Sequence, residues 1–201
     1  IGNFDGVHKG HQFLINKLIE NSKKFNLKPG VLSFYPHPRT FFQKTNHNFN
    51  IITDVYKEQL LESLGVEIFY KLKFNTDTAS MPAEDFVYNF LIKKLKLKSL
   101  IIGKNFRFGS NRTGDINLLK KINLETKFNL NVIEFVIAKD LNIVFSSSLV
   151  RENIKKGKFD IVKKILGRYW TIKGIVQKGD QRARKMNFPT ANILSPNTIH
   201  P

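Results

Sequence analysis

Cysteine is absent from the 201 residues, which excludes disulfide staples and thiolate metal sites and fits a reducing compartment. No run of about 18 apolar residues occurs, so no membrane-spanning helix is expected and the chain reads as cytoplasmic. Methionine occurs only twice and is missing from position 1, where Ile1 stands. The chain is therefore read as an internal fragment of a longer parent. Acidic residues are scarce too: 16 against 33 lysines and arginines give a net charge of +17. Such an excess invites a nucleic-acid partner, but the lysines are dispersed. The densest group, Lys93, Lys94, Lys96 and Lys98, ends a predicted helix where cations suit the dipole. No nucleic-acid partner is expected, only a solvated basic surface that attracts anionic nucleotides. The oligomeric state is not legible.

What is present alternates short apolar runs with amphipathic stretches, the pattern of an α/β domain with a parallel sheet. Helices are predicted over about His11–Phe25, Asp54–Leu64, Pro82–Leu95 and Thr113–Phe128, with two short ones between Ser148 and Leu166. Phe13, Leu14 and Leu18 are expected on the buried face of the first. Strands are predicted over Gly30–Tyr35, Val66–Leu72, Ser99–Gly103 and Asn131–Ile137, and Ile1 reads as the end of a truncated first strand. At Gly167 the pattern changes, and Arg168–Gln177 alternates as a half-exposed strand does. The predicted division is 1–166 and an incomplete second domain, 167–201.

Four segments with chemistry-bearing residues follow predicted strands, where ligands gather in such sheets. Gly2-Asn3-Phe4-Asp5-Gly6-Val7-His8-Lys9-Gly10-His11-Gln12 forms a glycine turn leading into a helix. Backbone N–H groups and a positive dipole end there suit phosphate, and His8 and His11 can follow charge building on phosphorus. Ser146-Ser147-Ser148-Leu149-Val150-Arg151 opens another helix. Its serines either cap that helix or cup a polyphosphate that Arg151 pairs. Gly103-Lys104-Asn105-Phe106-Arg107-Phe108-Gly109 places two phenylalanines beside glycines; they either stack on a planar heterocycle or close the core. Tyr35-Pro36-His37-Pro38 fixes a histidine between prolines, as a phosphate contact or a structural group.

The His-x-Gly-His core directly after Gly-x-Phe-Asp-Gly resembles the adenylyltransferase half of bacterial bifunctional riboflavin kinase/FAD synthetase, within the wider HxGH nucleotidyltransferase superfamily. Ser146–Arg151 resembles the family's Ser-Ser-Thr-x-x-Arg, with Ser148 in place of threonine. Gly103–Gly109 resembles its Gly-x-(Asp/Asn)-Phe-x-Phe-Gly, and Pro189-Thr190-Ala191-Asn192 its riboflavin kinase signature. The resemblance implies a Rossmann-like nucleotidyltransferase domain followed by the start of a β-barrel kinase domain. It implies transfer of AMP from ATP to FMN, giving FAD and pyrophosphate, with Mg²⁺, and phosphorylation of riboflavin by the parent chain. His8, His11 and Arg151 would be catalytic, and Gly2, Asn3, Phe4, Asp5, Gly6, Gly10, Ser146, Ser147, Ser148 and Arg151 would bind ATP. His37, Asn105, Phe106, Arg107, Phe108 and Asp115 would contact FMN or adenine, and Thr190 and Asn192 would hold Mg²⁺–ATP in the kinase part. Ala183 and Asn187 depart from the glycines usual in that loop, and the family's catalytic acid lies further downstream. Two alternatives stand beside this reading. One is another HxGH enzyme acting on phosphopantetheine, NMN or glycerol phosphate; the other is a flavin- or nucleotide-binding module without turnover.

Overall fold

The computed structural model describes residues 1–43, 49–134, 137–138, 143–177, 192–194 and 198–200. Helix α1, Lys9–Phe25, begins where His8 caps it and ends at Asn26, whose left-handed backbone (φ +51°) turns the chain out. Ile15 is fully buried on it, with Leu14, Leu18 and Ile19 packed alongside. Phe13 falls outside that row: it is 40% exposed, with the Lys17 ammonium 5.7 Å from its ring centre. The expectation that Phe13 shares the buried face is corrected by the helical period, which places 14, 15, 18, 19 and 22 inward.

Strand β1, Gly30–Tyr35, leads through α2, Pro38–Gln43, and α3, Asp54–Ser63, to β2, Ile68–Lys73. β1 and β2 are parallel, in the register Gly30↔Ile68 to Tyr35↔Lys73. Then α4, Thr76–Ser80, precedes α5, Ala83–Asp85, which runs on as a π-helical segment, Phe86–Lys94. β3, Ser99–Gly103, crosses through α6, Ile116–Thr126, to β4, Asn129–Ile133, its parallel partner. β5, Ile137–Ala138, and β6, Ile143–Val144, pair antiparallel before α7, Ser147–Lys155, and α8, Phe159–Leu166. The fold is thus mixed α/β with parallel strand pairs joined by helical crossovers. Two helices escaped the sequence. α2 starts on Pro38, inside a stretch read as a loop, and α4 is too short to show a period.

Alternation along β1 feeds two cores. Val31 enters one with Ile15, Leu61, Val150, Ile154 and Ile165, and Leu32 enters the other with Val87, Leu91, Ile102 and Leu119. Between β1 and β3 lies a cavity of about 260 Å³, lined by Val31, Leu32, Leu100, Ile101, Leu14 and Leu18. The Gly2 N–H donates to Leu32 O at 3.0 Å, but residues 1–4 form no strand. Ile1 lines this cavity.

Past α8 the predicted strand over Arg168–Gln177 shrinks to β7, Ile175–Gln177, paired antiparallel with β8, Asn192–Leu194. The physical reason is that Arg168 and Trp170 bond back to Gly6 and Ile51, so their stretch is fastened to the first domain's loops. Among the described residues no helix is long and apolar enough to cross a membrane.

Candidate active site

The turn Phe4–Val7 sits between two helix N-termini, those of α1 and α7. Phe4, Gly6 and Val7 all have positive φ (50°, 81° and 41°). For the β-branched valine that conformation costs on the order of 1–3 kcal/mol and persists only where its surroundings enforce it. Val7 and Phe4 are buried, and a Cβ on Gly6 would meet Ile51 Cδ1 at 3.0 Å.

His8 accepts the His11 N–H on Nδ1 at 3.3 Å, which leaves its proton on Nε2. The His11 ring stacks on it, centroids 3.7 Å apart, and lies 5.2 Å from the Phe4 ring. Burial, then Arg151 and Arg168, lower the His8 pKa to about 4. Burial, then His8, Lys57 and Arg151, hold His11 well below the ordinary range. Both shifts favour the neutral imidazole at pH 7, and the His11 Nδ1 is buried without a partner. A Cβ on Gly10 would meet the His8 ring at 3.1 Å and Phe145 Cβ at 3.2 Å, so glycine lets α7's approach close against α1.

Asp5 is buried and accepts the Ile51 N–H on both oxygens, at 2.9 and 3.1 Å, and the Arg151 guanidinium on Oδ2. Burial raises its pKa, opposed by Arg151 and the Ile51 N–H. Arg151 also donates Nε–H to Phe49 O at 3.0 Å and lies 3.7 Å over the Phe49 ring. Ser147 Oγ donates to Asp5 O at 2.8 Å, tying α7 to the turn. Ser146 caps α7, accepting the Leu149 N–H, and Ser148 is exposed.

Two cavities flank this turn. One, about 340 Å³, is lined by His8, Gly10, His11, Asn105, Phe106 and Ser147, among others. The other, about 250 Å³, is lined by Asn3, Asp5, His37, Thr40 and Lys57, among others. Asn3 Oδ1 is buried without a partner. His37 accepts the Arg39 N–H on Nδ1 at 3.1 Å, and burial, then Arg151 and Lys57, lower its pKa to about 4. Gly2 lines the first cavity behind Phe4.

Phe108, Arg107 and Asp115 line neither cavity. Phe108 is buried in the second core, 5.7 Å from Phe86 and stacked 5.4 Å from Phe106. Asp115 caps α6 through the Asn117 and Leu118 N–H groups and pairs with Arg107 at 3.0 Å. Those bonds, the Leu118 N–H first, hold its carboxyl below the usual range. Thr190 lies outside the described residues, and Asn192 is exposed on β8, opposite Gln177. Sequence reasoning missed Phe49, Ile51, Lys57 and Arg168, all brought to the turn from outside the recognisable segments. Among the described residues no three histidines or carboxylates group as a metal site.

Comparisons with known proteins identify the family. Residues 1–148 match the family model described as FAD synthetase, and residues 166–201 match that described as riboflavin kinase. A bifunctional riboflavin kinase/FMN adenylyltransferase of Buchnera aphidicola (subsp. Schizaphis graminum) is 39% identical over 96% of this chain and 62% of its own length. The Escherichia coli K12 protein of that name is 34% identical over 96% and 61%. The chain thus spans about three-fifths of the length of the curated relatives it matches. A crystal structure described as a macrolide-efflux protein from Streptococcus pneumoniae superposes with a TM-score of 0.84 at 29% identity, covering 100% of this chain and 65% of that one.

Proposed function

Because the chain belongs to the FAD synthetase family, we propose that its first 166 residues transfer AMP from ATP to the phosphate of FMN, releasing pyrophosphate. One observation carries this reading. The N-termini of α1 and α7 converge on one cavity with two neutral histidines at its wall, joined through Ser147 and Asp5. Two positive dipole ends and their first-turn amides at one point suit a polyphosphate.

In this account ATP takes the 340 Å³ cavity, with its triphosphate on the two helix starts and its base toward Asn105 and Phe106. FMN takes the adjoining 250 Å³ cavity, where Lys57 and His37 face its phosphate across Asp5. An FMN phosphate oxygen forms a bond to the α-phosphorus while the bond from that phosphorus to the β-bridging oxygen breaks. The oxygen is already ionised near neutral pH, so no general base is required. That agrees with a site whose carboxylate, Asp5, is committed to Arg151 and the Ile51 N–H. His8 and His11 donate N–H to the α-phosphate oxygens, whose charge grows in the transition state. Ser147 at the cavity wall, with Ser148 and Arg151 further along α7, would take the departing pyrophosphate. Mg²⁺ would come with ATP, held mostly by its phosphates and water, and would offset the charge on the triphosphate.

The residues from 167 onward begin, in the same proposal, a β-barrel riboflavin kinase domain in which Thr190 and Asn192 hold Mg²⁺–ATP. The parent chain would then make FMN and consume it. The reading is tested by pyrophosphate release from ATP with FMN, phosphopantetheine, NMN and glycerol phosphate offered in parallel. Release with FMN alone supports it, and release with another acceptor instead of FMN replaces it.

A further inference from the structure

The turn that carries the histidines is gripped from a distant part of the chain. Arg168 Nη2 donates to Gly6 O at 2.7 Å, and Nη1 donates to Val7 O and to Leu166 O, both at 3.3 Å. Gln12 Nε2 donates to the same Val7 and Leu166 oxygens, each at 2.8 Å. One guanidinium and one carboxamide therefore rivet Gly6 and Val7, two of the turn's three left-handed residues, to the last residue of α8. Two residues on, Trp170 Nε1–H donates to Ile51 O at 2.9 Å while its ring stacks on Phe159. Ile51 is the residue whose N–H Asp5 accepts. Arg168 and Trp170 thus hold both ends of Asp5–Val7, and both lie in the segment that matches riboflavin kinase.

Val7 has no intrinsic reason to stay at φ +41°. Its carbonyl bonds supply one, and the planar fork of arginine presents two separate nitrogens to two successive carbonyls, a geometry that the single nitrogen of an ammonium does not reproduce. His8 follows directly, so a relaxed Val7 would rotate the imidazole relative to the helix starts.

We propose that Arg168 is a positioning residue for nucleotidyl transfer, through which the segment after α8 sets the shape of the histidine turn. This rests on the nucleotidyl-transfer reading above. It makes the second part of the chain a structural component of the first part's site: displacing residues 168–170 would slow the first reaction without any contact with its substrates.

The test uses Arg168→Ala and Arg168→Lys in the full chain, with FAD formation, ATP KM and melting temperature measured together. The expected result for Arg168→Ala is a kcat lower by about 10- to 100-fold, with ATP KM changed by less than about 3-fold because the helix starts and Arg151 remain. Added methylguanidinium restores part of that kcat, which a loss of folded protein would not permit. A kcat within about 2-fold of the unaltered chain, or a loss that tracks the unfolded fraction without rescue, overturns the proposal. Where Arg168→Ala does not fold, Arg168→Lys decides: lower kcat at an unchanged melting temperature supports it, and unchanged kcat overturns it. Should the unaltered chain make no FAD, the acceptor reading is at fault. The turn is then read from the NMR resonances of the His8 and His11 rings, which move on substitution if Arg168 positions them and stay if it does not.

Discussion

Acidification should destabilise this fold through its buried imidazoles, and His8→Asn removes one of them. His8 is 5% exposed, and its pKa falls from 6.5 to about 4 on folding, chiefly through burial. The folded state thus binds the proton less readily than the unfolded chain. The stabilisation is complete above pH 6.5 and is lost as the pH falls through the window down to about 4. Between pH 7.5 and 5 such a group costs about 2 kcal/mol, and its full displacement corresponds to about 3 kcal/mol. Asparagine keeps an acceptor for the His11 N–H at the cap and does not titrate. Urea unfolding of both proteins at pH 7.5 and 5 gives the difference, which contains the titration of His8 together with its coupling to the stacked His11 ring. The unaltered chain should lose about 2 kcal/mol more than the variant over that interval. Equal losses would mean that His8 titrates in the folded state as it does in water, and the neutral N–H donor assigned to it would fall.

Asp5→Asn keeps an acceptor for the Ile51 N–H but leaves Arg151, only 12% exposed, without its counter-charge. The expected cost is about 3–5 kcal/mol, or roughly 6–20 °C in melting temperature for a chain of this size; a fall under about 2 °C would contradict it. Adding Arg151→Met to that variant should recover most of the loss. His11→Ala should lower nucleotidyl transfer on the order of 10²-fold or more while leaving the circular dichroism spectrum intact, and a near-normal rate would remove the catalytic role.

The strands were legible where apolar runs are dense and bounded: Gly30–Tyr35 and Ser99–Gly103 appear with the limits their sequence predicts. The histidine turn was equally legible because its information is local, eleven residues in a row. What the sequence hid is long-range. Nothing near Arg168 indicates a bond to Gly6, 162 positions away, and nothing near Phe49 indicates that Arg151 stacks on it. The serines before α7 illustrate an ambiguity that only geometry resolves. Ser146 takes the cap and Ser147 the bond to Asp5, so neighbouring hydroxyls serve different partners. Phe106 and Phe108 divide in the same way, one at the cavity wall and the other in the core. Asp115, expected near the flavin or adenine, is engaged by its own helix and Arg107. A capping aspartate and a ligand-binding one look identical in sequence.

The measurement that bears most directly on the central claim follows the label from ATP marked at the α-phosphate, incubated with FMN, Mg²⁺ and this chain or its His11→Ala variant. The account predicts label in FAD, unlabelled pyrophosphate in equal amount, and the loss of both in the variant. Folded protein that binds ATP yet leaves the label in ATP, or passes it to an acceptor other than FMN, would contradict it.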